Sequence, residues 1–229
     1  MKVPAPPHAG QLRLDLRRRS CFHRDAFIAS AGNRDAIAAI EAWPDWPGGR
    51  LALIGPPGCG KSHLARRWAA RVGARTVCSG ETDLLDLASR AILLDGADEG
   101  VDDDTLFHLI NMADAGATLL VTGHAPPREW PCGLADLRSR LNALPVIAMA
   151  APDDRILEAA LRRFFRERNI RPAEDVYPYL LRRVERSISA ALAMVVRIDE
   201  AADNERREVT RTLVRRLLDD EAGTLDLFE

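Results

Sequence analysis

Short, uninterrupted apolar runs alternate along the chain with longer segments in which apolar residues recur every three or four positions. The five apolar runs are "RLALIG", "ARTVCS", "AILLDG", "ATLLVTG" and "LPVIAMA". Because such runs are typical of strands that are covered on both faces, they predict a five-stranded parallel sheet. The segments between them, "KSHLARRWAARV", "DDDTLFHLINMADAG" and "LADLRSRLNA", predict the helices that cover it.

Helical periodicity also flanks this alternating region. We expect a short helix in "NRDAIAAIEAW" with Asn33 as its N-cap. Three or four amphipathic helices begin with "APDDRILEAALRRFFRERNI", one of them capped by Ser187. The predicted fold class is therefore α/β, a parallel sheet flanked by helices and followed by a small all-α lid with little core of its own. We divide the chain into a leader (1–24), an α/β core (25–150) and the lid (151–229).

Composition and charge narrow the class of protein. The chain has 229 residues, of which 47% are hydrophobic, enough for the core of one large domain. Residues 1–24 carry a net charge of +5 and the remainder −7, so we expect no general nucleic-acid surface on the body. The four cysteines form no CxxC pair, and proline interrupts the longest apolar stretch. We therefore expect a cytoplasmic protein without a disulfide framework, a cysteine metal site or a membrane span.

The segment "GPPGCGKS" at residues 55–62 matches G-x-x-x-x-G-K-[ST] between a predicted strand and a predicted helix. Its glycines let backbone N–H groups face phosphates, Lys61 supplies positive charge, and the Ser62 hydroxyl is a magnesium ligand. A chance Gly/Pro turn is the alternative. Cys59 is either a thiol activated by a helix N-terminus or a small residue that fits. The candidate residues for binding ADP or ATP are Gly55, Pro56, Pro57, Gly58, Cys59, Gly60, Lys61, Ser62 and His63.

A second acidic position follows from "AILLDGADEG", which places Asp95 at the end of a buried strand. Its carboxylate would hold Mg²⁺ partly through water, and a turn or helix-capping aspartate is the alternative. ATPases of this type usually have a second acid next, to orient the attacking water, but here the next residue is Gly96. Asp98 and Glu99 are out of register for that role. We therefore expect nucleotide binding with slow intrinsic hydrolysis.

Several of these motifs occur in a familiar order. "DAFIASAGNRDAIAAIEAWPDWPGGRLALIGPPGCGKSHLARRWA" resembles the start of the DnaA-related AAA+ ATPases, and "LLVTGHAPPREW" followed by "LADLRSRL" resembles their later motifs. The similarity extends to "RTLVRRLLDD", and the nearest branch is that of the Hda-type regulators of replication initiation. The resemblance implies an AAA+ core that binds ADP or ATP with Mg²⁺.

The resemblance also implies roles for individual residues. Thr122 takes the place of a polar sensor near the γ-phosphate, with an ordinary strand-end threonine as the alternative. Arg140 takes the place of the arginine finger that reaches a neighbouring subunit's nucleotide, and Arg138 that of a helper. A solvated, arginine-rich helix face is the competing interpretation. Arg186 matches the second sensor, at the start of a lid helix. The residues that match the adenine-binding region are Phe27, Ile28 and Asn33.

The chain also departs from the initiators of this family. Only about a dozen residues separate "ARTVCS" from "AILLDG", which leaves no room for the helical pair with which initiators grip single-stranded DNA. Initiators also end in a helix-turn-helix domain, which we do not expect after "RRLLDDEAGTLDLFE". We therefore expect no origin recognition by direct base readout, and contact with DNA mainly through a partner.

In the leader, "QLRLDL" places Leu12, Leu14 and Leu16 on one side of an extended segment. Hda-type regulators carry a Gln-Leu-x-Leu-x-Leu peptide that docks on the replication sliding clamp, the beta subunit of DNA polymerase III. The resemblance thus implies that Gln11 makes an oriented polar contact while the leucines fill apolar clefts. An edge strand on the protein's own sheet would explain the alternation equally well.

Together these features predict a regulatory AAA+ protein associated with the replisome or nucleoid. It would bind the DNA-loaded clamp and use Arg140 to stimulate ATP hydrolysis by the initiator DnaA, which negatively regulates replication initiation. Two other functions stay open: a self-contained DnaA-related ATPase that remodels DNA or a replication complex, and a nucleotide-stabilised adaptor on the clamp. A homodimer is also open.

Overall fold

A five-stranded parallel sheet forms the centre of the α/β core. The computed structural model describes residues 28–77, 91–205 and 208–225. Within them the strands are Arg50–Ile54 (β1), Arg75–Val77 (β2), Ala91–Leu94 (β3), Thr118–Gly123 (β4) and Val146–Ala148 (β5). Their order is β2-β3-β4-β1-β5, and every neighbouring pair is parallel. The predicted fold class is confirmed, and each strand lies within one of the five apolar runs.

The strand order brings the functional loops to one edge of the sheet. β1 pairs with β4 so that Leu53 lies opposite Thr122, and β3 pairs with β4 so that Leu94 lies opposite Val121. The carboxyl ends of β1, β3 and β4 are therefore adjacent. In open parallel sheets, ligands bind at this carboxyl edge.

The helices lie where periodicity predicts them. In the core they are Arg34–Glu41 (α1), Lys61–Val72 (α2), Asp103–Asp114 (α3) and Ala135–Asn142 (α4), with 3-10 turns at Pro47–Gly49 and Pro127–Glu129. Beyond residue 150 the described residues form Asp154–Glu167 (α5), Val176–Leu181 (α6), Ile188–Glu205 (α7) and Arg211–Leu225 (α8). None of the helices in the described residues is long and apolar enough to cross a bilayer.

Asn33 precedes α1 as predicted, but its side chain does not cap the helix. Its Oδ1 accepts a hydrogen bond from Ser30 N at 2.8 Å, and its Nδ2 donates to Ile28 O at 2.9 Å. The capping role was wrong because the buried amide satisfies backbone groups of the preceding loop. The Ser187 prediction is confirmed, since its Oγ accepts from Ala190 N at 3.3 Å in the first turn of α7.

Apolar clusters cover both faces of the sheet. Leu94, Leu109 and Leu137 belong to the cluster beneath α3 and α4, and Leu53 and Trp68 belong to the cluster beneath α1 and α2. The lid helices bury a third cluster. It includes Leu157, Leu161, Phe165, Leu180 and Val195. The expectation that the lid has little core of its own was wrong, because four helices with apolar faces pack on one another.

Trp68 on α2 is a sensitive point of the α/β core. Its side chain is 1% exposed and stacks on Trp46 with ring centroids 5.1 Å apart. Replacing Trp68 with Ala removes this packing, and we expect the free energy of unfolding to fall by about 3–5 kcal/mol in urea titration. Arg67→Ala, an exposed neighbour on α2, should stay within about 0.5 kcal/mol. Equal losses in the two variants would contradict this assignment of the core.

Candidate functional site

The loop 55–60 curls tightly between β1 and α2, and two of its glycines lie where no side chain would fit. A Cβ on Gly55 would lie 2.4 Å from Met149 O. Gly58 has φ +66°, and a Cβ there would lie 1.9 Å from Ser187 Oγ. Pro56 and Pro57 are exposed at the tip of the loop. The backbone thus forms the tight turn that a phosphate-binding loop requires.

Lys61 is the positive centre of this loop. It begins α2, is 7% exposed, and its Nζ donates to Gly55 O at 2.7 Å and to Pro56 O at 3.0 Å. Among the described residues, no carboxylate pairs with this ammonium. A buried cation held only by carbonyl oxygens at a helix N-terminus favours a bound anion, and phosphate oxygens fit that requirement.

Asp95 joins the loop helix to two strands. Its Oδ1 accepts from Ser62 Oγ at 2.9 Å and from Thr122 Oγ1 at 2.8 Å. Its Oδ2 pairs with Arg66 at 2.9 Å, and its side chain is 13% exposed. The structure therefore brings together three residues that the sequence predicted separately, Ser62, Asp95 and Thr122. It also adds Arg66, which the sequence analysis missed although Arg66 lies four positions after Ser62 on the same helix face.

Gly96 occupies the position where ATPases of this type usually have a second acid. Its φ is +81°, and its N–H donates to Thr122 Oγ1 at 2.8 Å. An acidic side chain here would therefore strain the backbone as well as change the chemistry.

The nearby acids Asp98 and Glu99 have other partners. Asp98 Oδ2 accepts from the N–H groups of His124 and Ala125 at 2.5 and 3.2 Å. Glu99 Oε1 lies 3.3 Å from His124 Nδ1. Both acids hold the loop that follows β4.

The loop also contacts the start of α7 in the lid. Ile188 N donates to Gly58 O at 2.8 Å, and the hydroxyls of Ser187 and Ser189 lie 2.9 Å apart beside the same glycine. Arg186, the predicted second sensor, is adjacent in sequence, but its guanidinium pairs with Asp154 at 2.8 Å and is 54% exposed. The contact between loop and lid and the Asp154 pair were both missed, because each joins residues far apart in sequence.

Arg140 and Arg138 lie on α4 with different partners. Arg140 pairs with Asp114 and lies with its Cζ 5.1 Å from the centre of the Phe107 ring, leaving 30% of its side chain exposed. Arg138 donates to Arg128 O at 2.9 Å and to Trp130 O at 2.6 Å, so it supports the turn before α4. The finger and helper roles stay predictions.

The remaining predicted residues are partly described. Asn33 is buried in the loop before α1, Ile28 is 37% exposed, and His63 is half-buried on α2. Phe27 and the leader residues Gln11, Leu12, Leu14 and Leu16 lie outside the described residues.

The residues present fit a nucleotide with its magnesium ion. The glycine loop leaves backbone N–H groups at the start of α2, and Lys61 supplies the charge that a polyphosphate needs. Ser62 Oγ and Asp95 Oδ1, only 2.9 Å apart, are the hard oxygen donors that Mg²⁺ prefers.

These features define an α/β fold with a glycine loop at the carboxyl edge of a five-stranded parallel sheet and a helical lid, and solved structures share this fold. Domain III of the Thermotoga maritima replication initiation protein DnaA aligns with TM-score 0.70 and 19% identity over 85% of this chain and 94% of that chain. AMPPCP-bound DnaA from Aquifex aeolicus aligns with TM-score 0.59 and 18% identity over 75% of this chain and 63% of that chain. A RuvB variant from Thermotoga maritima aligns with TM-score 0.62 and 15% identity over 82% of this chain and 67% of that chain. No protein-family model matches the chain.

Cys59 is buried in the loop, with only 4% of the residue exposed. This burial favours the interpretation that it is a small residue that fits the loop. Burial raises the pKa of its thiol, and the charge of Lys61 offsets only part of this effect. We expect Cys59 to stay protonated at pH 8 and to react with iodoacetamide more slowly than the half-buried Cys132. The reaction rate of Cys59 should still increase with pH beyond the range in which an ordinary cysteine thiol ionises. Mass spectrometry of a variant with Cys21→Ser and Cys78→Ser measures both rates. Faster labelling of Cys59 at pH 7 would contradict this.

Proposed function

We propose that this protein is a DnaA-related AAA+ regulator that binds ADP or ATP with Mg²⁺, binds the sliding clamp, and stimulates ATP hydrolysis by DnaA. The observation that carries the nucleotide part is the buried Lys61 beside the linked Ser62, Asp95 and Thr122. A similar fold occurs in a DnaA described as AMPPCP-bound. The likeness in fold supports this part of the proposal, and the chemistry of the loop supports it independently.

In the proposed mechanism, this chain's own site holds nucleotide and turns it over slowly. Lys61 and the loop N–H groups bind phosphate oxygens, and Ser62 with Asp95 would hold the metal, which supplies charge neutralisation. No carboxylate occupies position 96 to orient water, and the left-handed backbone there favours glycine. Nucleotide would therefore organise the core and lid, since Gly58 of the same loop contacts α7.

The proposed action on DnaA is assigned to Arg140. Its pair with Asp114 lies at the surface, with the side chains 30% and 39% exposed. An incoming phosphate can compete with such a pair, because exposed ion pairs contribute only about 0–1 kcal/mol. The Phe107 ring supports the guanidinium from one side. Clamp binding is assigned to residues 11–16, and its rival, an added edge strand, would lie on β2 or β5, the outer strands of the described sheet.

The nucleotide part is tested by Lys61→Ala. Because a charged donor to phosphate is lost, we expect the affinity for a fluorescent ADP analogue with Mg²⁺ to fall at least ~10-fold by anisotropy titration. Arg67→Ala removes the same charge from an exposed position of the same helix and should leave the affinity unchanged. Equal affinities of the wild type and Lys61→Ala would count against nucleotide binding by this loop.

The regulatory part is tested by measuring ATP hydrolysis by DnaA with DNA-loaded clamp. We expect the wild type to accelerate it, Arg140→Ala to lose most of that stimulation while still binding clamp, and a variant with Gln11, Leu12 and Leu16 changed to Ala to lose both. Arg67→Ala is the matched control, and thermal unfolding verifies each fold.

The rival functions give different results in the same assays. Stimulation that survives Arg140→Ala while the leader variant loses clamp binding would favour an adaptor. Rapid ATP turnover by the isolated chain would favour a self-contained ATPase.

A further inference from the structure

Three arginines at the end of α6 and the start of α8 line one groove in the lid. Arg182, Arg183 and Arg211 enclose about 260 Å³ together with Asp175, Pro178 and Tyr179. All three arginines are exposed. We call these six residues the arginine groove.

A buried tyrosine holds two of these guanidiniums in place. Tyr179 is 6% exposed, and the Cζ atoms of Arg183 and Arg211 lie 4.0 and 5.0 Å from its ring centre. Such cation–π contacts order arginine side chains before any ligand arrives. An ordered guanidinium loses less conformational entropy on binding than a mobile one.

A neighbouring stack shows what these arginines lack. Arg162 lies 4.1 Å from the ring centre of Tyr177, and its nitrogens bond to Glu158 at 3.0 Å and to Glu174 at 2.8 Å. Across the described residues, neither a carboxylate pair nor a hydrogen bond engages the side chains of Arg182, Arg183 and Arg211. The fold therefore neutralises one Arg–Tyr stack internally and leaves the donors of the other available.

We infer that the arginine groove binds the phosphodiester backbone of DNA directly. Each guanidinium has five N–H donors, and one bidentate arginine already occupies both oxygens of a carboxylate. A chain of phosphates instead offers separate oxygens to three arginines. The first turn of α8, which begins at Arg211, adds backbone N–H groups that favour phosphate.

An exposed groove also suits a polymer better than a single phosphate. Each solvent-exposed charge contact is weak, and a polyanion gains affinity by adding contacts and releasing counterions. The residues outside the leader carry a net charge of −7. The positive charge of the arginine groove is therefore a local feature of an otherwise acidic body. It depends on neither the clamp nor the initiator.

The test is anisotropy titration of a labelled 25-nucleotide oligo(dT) with the full chain between 50 and 200 mM salt. We expect Arg182→Gln with Arg183→Gln and Arg211→Gln to weaken binding and to make the slope of log K against log salt shallower by about 2, from three lost phosphate contacts. A matched variant with Arg128→Gln, Arg171→Gln and Arg215→Gln removes the same charge outside the groove. It should keep most of the affinity for the oligonucleotide and most of the salt dependence.

Further arms separate the groove from its alternatives. Arg182 makes no Tyr179 stack, so Arg182→Glu tests the groove even if the triple variant melts early, with Arg171→Glu as its control. Equal losses in groove and control variants, or no binding by the wild type, would overturn the inference. So would displacement of the oligonucleotide by pyrophosphate, which indicates a small phosphate ligand, or by polyglutamate, which indicates an acidic protein partner.

Discussion

The hydrogen bonds centred on Asp95 are the constraint on which the site depends. One carboxylate oxygen accepts from Ser62 on α2 and from Thr122 at the end of β4, and the other pairs with Arg66. Three elements that are distant in sequence therefore meet at one partly buried acid at the carboxyl edge of the sheet. Such an arrangement can exist only because β1 and β3 both pair with β4 in parallel register. Breaking that register would separate the Ser62 and Asp95 oxygens from each other and from the loop.

The glycine loop extends this constraint to the lid. Gly58 approaches Ser187 so closely that no side chain fits, and its carbonyl accepts from Ile188 at the start of α7. In the proposed function, this contact would couple a phosphate bound by the loop to the position of the lid. The coupling would not depend on the rate at which the nucleotide is hydrolysed.

Arginines illustrate how tertiary context assigns roles to one residue type. The chain has 32 basic residues, nearly all arginine, so sequence position alone separates them poorly. In the structure Arg138 donates to backbone carbonyls, Arg162 is neutralised by two glutamates, and Arg183 stacks on Tyr179 without a carboxylate paired to it among the described residues. Burial, partner and stacking, not spacing, distinguish these cases.

The sequence by itself determined the elements and the chemistry of the loop, because both are local. Continuous apolar runs identified the five strands, and the spacing of glycines and Lys61 identified the start of α2. Only the tertiary structure decided that Arg66 shares Asp95, that Arg186 pairs with Asp154, and that Asn33 serves a loop instead of capping α1. Each of those depends on partners or backbone geometry that no periodicity encodes. The core of the lid was also decided only by the tertiary structure. The apolar faces of its helices show that they must pack, but not which surface they pack against.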